Sequence, residues 1–446
     1  MKKFIETLKN IWHVEDLRNR LLITLAFAAM YRFGSFIVLP GINPEALTAL
    51  KEQTDAGLMS LLNMFSGGAF SNASIFALGI MPYISASIVM QLLAVAVPYV
   101  QKMQREGESG RKKISMYTRW LTVAILLFQA PGYLMNLKMQ AGAALATGIS
   151  WSVFMVPAVI ILSAGSMFIL WLGERITDKG IGNGISLIIM IGIIARLPQA
   201  FIQEVSSRFT AITGGGLVMF LVEIIILYAV VCASIVLVTG VRKIPVQYAK
   251  RLVGNKQYGG ARQYIPLKLF AANVMPIIFA GPILSIPGML LTKITNPKLL
   301  WLNNIGQTLV NGTSWAYIIL FSLLVLFFSF FWVATQFNAV RIADDLKRTG
   351  GYVPGIRPGR ATAEFLDHTM SRVTLIGAIG LIIVAIFPNL LNAHLELPWE
   401  MASFFGGTSL LIIVGVALDT LRQMESYLTM RHYDGFLKHG RIQARR

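Results

Sequence analysis

The sequence predicts an all-α integral membrane protein in which ten helices cross the bilayer as two inverted halves of five. Three observations support this class. Hydrophobic residues make up 55% of the 446 residues and charged ones only 13%, apolar runs of about 20 residues recur, and short motifs repeat five spans apart. The predicted spans are 21–39, 76–97, 119–137, 153–172, 184–203, 216–239, 269–291, 315–337, 373–392 and 403–421.

The apolar stretch Phe65–Ile88 is interrupted where a simple membrane anchor would be continuous, by Gly67, Gly68, Gly79 and Pro82. Irregular backbone at membrane depth persists only inside protein or beside water. The piece at 57–74 is too short and glycine-rich for a span, so it is predicted to be a re-entrant insertion. Such a segment indicates a cavity or a moving part, and therefore a conduit.

Charge predicts the orientation. The net charge is +18, and by the predicted topology all of it falls on the side of the N-terminus, so both termini are expected to be cytoplasmic. Two cytoplasmic connections are long, 240–268 and 338–372. The first alternates apolar and polar residues and predicts a β-hairpin. The basic residues of the first connection and the proline-containing loop of the second favour a surface that docks a partner over a charge distribution that only orients the protein in the membrane. The predicted docking residues are Arg242, Lys243, Lys250, Arg251 and Arg357.

A weak internal repeat links the two halves. Ile80–Ile84 in the second span resembles Val274–Ile278 in the seventh, and Gly184–Ile189 in the fifth resembles Gly407–Ile412 in the tenth. An offset of five spans reverses the membrane direction, which is typical of inverted repeats with a site at their interface. The predicted halves are 1–205 and 206–446. Pro82 and Pro276 occupy matching places, where each is predicted to kink its helix.

Nothing in the sequence indicates an enzyme, a cofactor or a metal site. The five histidines and the single cysteine, Cys232, lack ligand spacing, and Gly180–Gly184 opens a span without a preceding strand, which excludes a nucleotide loop. The only intramembrane charges, Arg32 and Glu223, are expected to reach outward to the interface. Their scarcity argues against a small-solute pump. A secondary transporter with inverted five-helix repeats remains the alternative.

The chain resembles the SecY family of protein-translocation channels over essentially its whole length. The resemblance rests on Asn63–Phe70, Ile75–Ile88, Gly180–Ser186, Tyr248–Arg251, Val353–Gly359 and Phe405–Leu411. It implies two five-helix halves around a central pore, a re-entrant plug helix, and passage of unfolded secretory polypeptides with lateral release of hydrophobic segments into lipid. It also implies bacterial inner-membrane localisation. The implied partners are SecE, SecG, the SecA motor, the ribosome, secretory and membrane protein chains, and the lipid bilayer.

The same resemblance implies roles for particular residues. The pore ring is Ile80, Ile84, Ile185, Ile189, Ile278 and Ile412. The plug includes Phe65, Ser66, Gly67, Gly68, Ala69 and Phe70, and the lateral gate includes Ile88, Gln91, Met275, Pro276 and Ile277. By spacing alone, the isoleucines in spans two and five equally fit lipid contact or ordinary packing. Met275 departs from the expected Ile or Val, which leaves open whether Met275 or Ile278 faces the constriction.

Overall fold

The computed structural model of the chain describes residues 14–43, 47, 63–140, 150–210, 216–248, 251–253, 256–258, 262–292, 300–395 and 399–439. They form two compact units. Unit 1 comprises Met1–Phe201 with Gly415–Arg446, and unit 2 comprises Ile202–Val414.

Helices dominate the described part of the chain up to residue 239. They are α1 (Glu15–Gly34), α2 (Met81–Ala96), α3 (Pro98–Arg105), α4 (Glu108–Gln140), α5 (Trp151–Lys179), α6 (Gly184–Ile194), α7 (Leu197–Thr210) and α8 (Gly216–Thr239). α2 and α3 meet at 102°. The bend lies at Val97, whose backbone is extended because a residue before proline is driven out of the helical region.

The remaining elements include a small sheet followed by further helices. They are β1 (Val241–Tyr248), β2 (Arg251–Val253), β3 (Lys256–Tyr258), β4 (Arg262–Lys268), α9 (Met275–Thr292), α10 (Leu300–Val310), α11 (Trp315–Gln336), α12 (Ala339–Thr349), β5 (Gly351–Tyr352), α13 (Arg360–Leu395), α14 (Trp399–Ala402), a 3₁₀ turn (Ser403–Phe405) and α15 (Gly407–His439).

Within these described residues, seven helical stretches are long and apolar enough to cross a bilayer, or eight if the bent α2–α3 pair is one span. The other two predicted spans correspond to α1 and α9. α1 ends at Gly34, five residues before the predicted end of its span, and its first turn is charged.

Each unit has its own apolar core. In unit 1, Tyr133 of α4 and Leu162 of α5 belong to the same core as Leu39, Phe70 and Ala73, which precede α2. In unit 2, α8, α9, α11 and α13 contribute to a core that includes Leu237, Phe270, Ile277, Val325 and Leu381.

The sheet of unit 2 joins the two long connections. β1 pairs antiparallel with β4 over Val241–Gln247, and its last two residues, Gln247 and Tyr248, pair with β5. The strand order is therefore β4-β1-β5. β2 and β3 form a separate antiparallel pair.

Candidate functional site

The described part of the predicted insertion, residues 63–74 (the 63–74 segment), is compact rather than a continuous helix. Only residues 63–65 are helical, and turns follow because Gly67 and Gly68 have φ values of +65° and +87°. Asn63 organises the turns: its Oδ1 accepts from the Ser71 amide at 3.1 Å, and its carbonyl accepts from the Gly68 amide at 2.9 Å. The irregular backbone thus meets many of its own hydrogen-bonding needs.

Three side chains from neighbouring helices donate to backbone carbonyls of the 63–74 segment. The Tyr31 hydroxyl donates to Ser66 O at 3.2 Å and the Arg32 guanidinium to Gly67 O at 2.7 Å, both from α1. The Tyr133 hydroxyl, from α4, donates to Phe70 O at 2.9 Å. The Gly67 carbonyl thus gives Arg32 a partner that the sequence did not indicate.

The 63–74 segment also packs closely against α6. A Cβ on Gly67 would lie 2.8 Å from the Gly192 Cα, so glycine allows this approach. Ile185, Ile189 and Gly192 are spaced four and three residues apart and share one face of α6. The predicted pore-ring face of this helix therefore ends at the glycine that contacts the segment.

A run of turns, Ile75–Ile80 (the N-terminal turn run), leads into α2. Its first amide donates to Ile37 O at 2.9 Å. A Cβ on Gly165 of α5 would lie 2.2 Å from the Ile75 carbonyl oxygen, and Gly79 has a φ of +55°. α2 then begins at Met81 with Pro82 as its second residue.

Unit 2 contains the same arrangement in Leu269–Val274 (the C-terminal turn run). The Leu269 amide donates to Gly240 O at 2.9 Å. A Cβ on Gly377 of α13 would lie 2.1 Å from the Leu269 carbonyl oxygen, and Asn273 has a φ of +53°. α9 then begins at Met275, with Pro276 as its second residue.

The predicted kinks at Pro82 and Pro276 are wrong. Each proline lies in the first turn of its helix, where its missing amide hydrogen has no helical acceptor in any case and its fixed φ favours helix initiation. The two prolines therefore start helices at corresponding places. They do not bend helices that began earlier.

The predicted pore-ring residues differ in exposure within their own units. In unit 1, Ile80 and Ile189 are buried, whereas Ile84 and Ile185 are half-buried. In unit 2, Ile412 is buried and Ile278 is half-buried.

The predicted gate residues are also mixed. Ile88, Pro276 and Ile277 are buried, Met275 is half-buried, and Gln91 is exposed. Ile277 packs in the core of unit 2, where it contributes to stability.

The predicted docking loops meet through β5. Arg242, Lys243 and Arg357 are exposed. Lys250 lies outside the described residues, and the side chain of Arg251 is likewise not described. The loop carrying Arg357 is fixed at its base, because Val353 is buried and the Thr362 hydroxyl donates to Arg357 O at 2.8 Å. The backbone of Arg357 is therefore held in place while its side chain is exposed.

Glu223 is buried and has an ion partner, which the sequence did not indicate. Arg208 Nη2 lies 2.8 Å from Glu223 Oε1, and Arg208 Nε lies 2.6 Å from Glu204 Oε1. Both carboxylates are at most 2% exposed. This triad ties α7 to α8. The four-residue spacing of Glu204 and Arg208 is typical of a helical ion pair, but nothing in the sequence linked that pair to Glu223.

A family model described as SecY matches residues 74–421, which include both turn runs and the sheet. The chain belongs to the SecY family. Relatives within this family match nearly end to end. The protein translocase subunit SecY of Corynebacterium glutamicum is 40% identical, with 95% of this chain and 98% of the relative covered. That of Thermotoga maritima is also 40% identical, with 99% and 100% covered.

Solved SecY-type structures share the fold. A protein-conducting channel superposes with a TM-score of 0.57 at 17% identity, covering 92% of each chain. A SecY structure concerned with a plug domain that stabilises the closed state of the translocation channel gives 0.59 at 16% identity, again covering 92% of each chain.

Family membership decides between the alternatives that the sequence left open. As a SecY family member, the chain is a multi-pass membrane protein and a protein-conducting channel subunit of a translocase, not an enzyme. The secondary-transporter alternative is not supported.

Proposed function

We propose that this channel passes unfolded secretory polypeptides across the bacterial inner membrane, releases hydrophobic segments sideways into lipid, and is sealed at rest by the 63–74 segment. The observation that carries the proposal is the packing of that segment against Gly192, at the end of the Ile185–Ile189 face of α6. The backbone groups of this segment make hydrogen bonds within the protein, so the segment can lie at membrane depth. Next to a constriction of aliphatic side chains it would exclude ions, and its removal would open a path that needs no fixed substrate site.

The duplicated turn runs support two inverted five-span halves, divided near 205/206, with α1 and α9 completing ten spans. They also support one assignment in the pore ring. The runs align Met81 with Met275 and Ile84 with Ile278, because both helices begin with Met-Pro. Ile278 is therefore the ring residue, together with Ile80, Ile84, Ile185, Ile189 and Ile412. Met275 belongs with the lateral gate, together with Ile88, Gln91, Pro276 and Ile277.

Site-specific crosslinking tests the conduit. Cys232 is replaced by Ala, and a single cysteine is placed at Ile84, Ile278 or Met275 in reconstituted channel engaged with a stalled secretory chain. We expect adducts at Ile84 and Ile278 that require the signal sequence, and a weaker adduct at Met275. Absence of adducts at Ile84 with the chain engaged would contradict the proposed path.

The joined loops are proposed to dock the cytoplasmic partners. One superposed structure, with a TM-score of 0.53 at 16% identity over 92% of each chain, is Sec61 in the canine ribosome-channel complex of the endoplasmic reticulum. The basic loops and both termini are assigned to the cytoplasm, and SecE and SecG to surfaces elsewhere on the chain. Docking of the ribosome and SecA is assigned to Arg242, Lys243, Lys250, Arg251 and Arg357.

Charge reversal tests this docking surface. Arg357→Glu is expected to lower SecA-driven translocation about tenfold, because a contact charge becomes repulsive. Lys112→Glu, at a side chain that is 79% exposed on α4, is the matched control for net charge. Equal translocation by the two variants would refute the assignment.

A further inference from the structure

The 63–74 segment is held by side chains that belong to the helices around it. Tyr31 and Arg32 are adjacent on α1, and Tyr133 lies on α4. All three donate to carbonyls of the segment. Tyr31 is 1% exposed and Tyr133 6% exposed, so water does not readily replace either hydroxyl. Donors from two helices thus converge on a stretch of five residues, Ser66–Phe70.

The chemistry of these bonds has an unusual consequence. Every acceptor is a backbone carbonyl, so the bonds do not depend on the side chains of the 63–74 segment. The donors also have packing roles, since the Tyr133 ring contacts the Phe70 ring edge-on at 4.8 Å and the Arg32 guanidinium lies 4.6 Å from the centre of the Phe36 ring. These contacts orient Tyr133 and Arg32. Movement of the segment out of its place would break all three bonds.

We propose that Tyr31, Arg32 and Tyr133 form a latch that sets how often the resting channel opens. The proposal rests on the proposed function, in which the 63–74 segment is the seal. The latch residues are positioning residues, because they act through their hydrogen bonds to the 63–74 segment. Arg32 makes the strongest bond, because a charged donor at 2.7 Å exceeds a neutral hydroxyl in strength.

Ion leak through reconstituted channels without partners measures the open population. We expect Tyr31→Phe and Tyr133→Phe each to raise the leak about fivefold, and Arg32→Gln about tenfold or more. Tyr228→Phe is the matched control, because Tyr228 lies on α8 with 71% of its surface exposed. Its leak should equal that of the unaltered channel. Equal leak in all four variants would overturn the latch.

A reversible lock separates a latch effect from general damage. A Cβ on Gly79 would lie 3.5 Å from the Ser66 Cβ, within the range that a disulfide spans. In a Cys232→Ala background, Ser66→Cys with Gly79→Cys fixes the segment on oxidation. The added leak of Tyr31→Phe should disappear on oxidation and return on reduction. Leak that persists in the oxidised channel would overturn the proposal, because the donor would then act elsewhere.

Deletion of residues 57–74 distinguishes the latch from the seal. A leaky deletion channel, in which Tyr31→Phe adds nothing further, supports both. A deletion channel without leak refutes the seal itself. A leaky deletion channel beside silent Tyr31→Phe, Tyr133→Phe and Arg32→Gln variants refutes the latch alone.

Discussion

In both units a turn run with the same backbone contacts (the shared frame) precedes a helix that begins with Met-Pro, α2 in unit 1 and α9 in unit 2. The segments before the two turn runs differ. In unit 1 the chain between α1 and the N-terminal turn run includes the buried 63–74 segment. In unit 2 the chain between α8 and the C-terminal turn run includes β1 and β4, on which Ile244 and Leu267 are buried and the basic residues Arg242 and Lys243 are exposed. The first insertion is proposed to seal and the second to dock.

The frame is preserved by backbone contacts rather than by side chains. Each turn run starts with an amide that donates to a carbonyl shortly after the preceding helix, Ile37 after α1 and Gly240 after α8. Its first carbonyl lies against a helix glycine, and its last residue but one has a left-handed backbone. The left-handed residue is Gly79 in one unit and Asn273 in the other. The two units therefore share the way their helices begin while the segments before those helices differ.

The largest predicted effect comes from filling the glycine contacts. Gly165→Ala and Gly377→Ala would each place a Cβ about 2 Å from a carbonyl oxygen of the turn run, too close for any relaxed packing. We expect each to lower the free energy of unfolding by about 3 kcal/mol or more. Thermal unfolding of the purified channel in detergent measures this.

Two other helix glycines supply the controls. Apart from the neighbouring backbone of its own helix, no described atom lies within 4 Å of a Cβ built on Gly132 or Gly415. Alanine there should be neutral or stabilising by up to about 1 kcal/mol, since it favours the helix. A large loss at only one of Gly165 and Gly377 would show that the frame is not equivalent in the two units.

The left-handed positions give a smaller effect. Gly79→Ala and Asn273→Ala should each cost about 1–2 kcal/mol, because alanine resists a positive φ. Asn273→Gly should change the free energy of unfolding by less than about 0.5 kcal/mol, because glycine adopts that conformation without strain. A costly Asn273→Gly variant would mean that the Asn273 side chain, and not its backbone, supports the C-terminal turn run.

The sequence predicted the membrane class, and its weak repeat pointed to the helix starts, because apolar runs and Met-Pro pairs are local signals. It wrongly predicted that Pro82 and Pro276 lie inside helices, because the turn runs before them are as apolar as the helices that follow. The glycine contacts were also invisible, since nothing in the sequence near Gly165 or Gly377 indicates a carbonyl pressed against it.

Of the candidate site, only the 63–74 segment, which supplies the hydrogen-bond acceptors, could be predicted from the sequence. Gly67 and Gly68 indicated irregular backbone, but the donors lie far away along the chain. Arg32 was assigned to the interface because an isolated intramembrane charge usually reaches water. Tyr31 and Tyr133 resemble ordinary aromatic membrane residues. Pairing a carbonyl with a distant hydroxyl needs the tertiary fold.

The smallest predicted effect contrasts a tyrosine hydroxyl in each insertion. The Tyr352 hydroxyl lies 3.3 Å from Gln247 Oε1 at the edge of the sheet, and the residue is 39% exposed. Water replaces such a contact, so Tyr352→Phe should change the free energy of unfolding by less than about 0.5 kcal/mol. Tyr133→Phe, which removes a buried donor, should cost about 1 kcal/mol. Unfolding of both variants under the same conditions measures the difference. If Tyr352→Phe costs as much as Tyr133→Phe, side chains hold the sheet as firmly as they hold the 63–74 segment, and the contrast between the proposed seal and the proposed docking sheet fails.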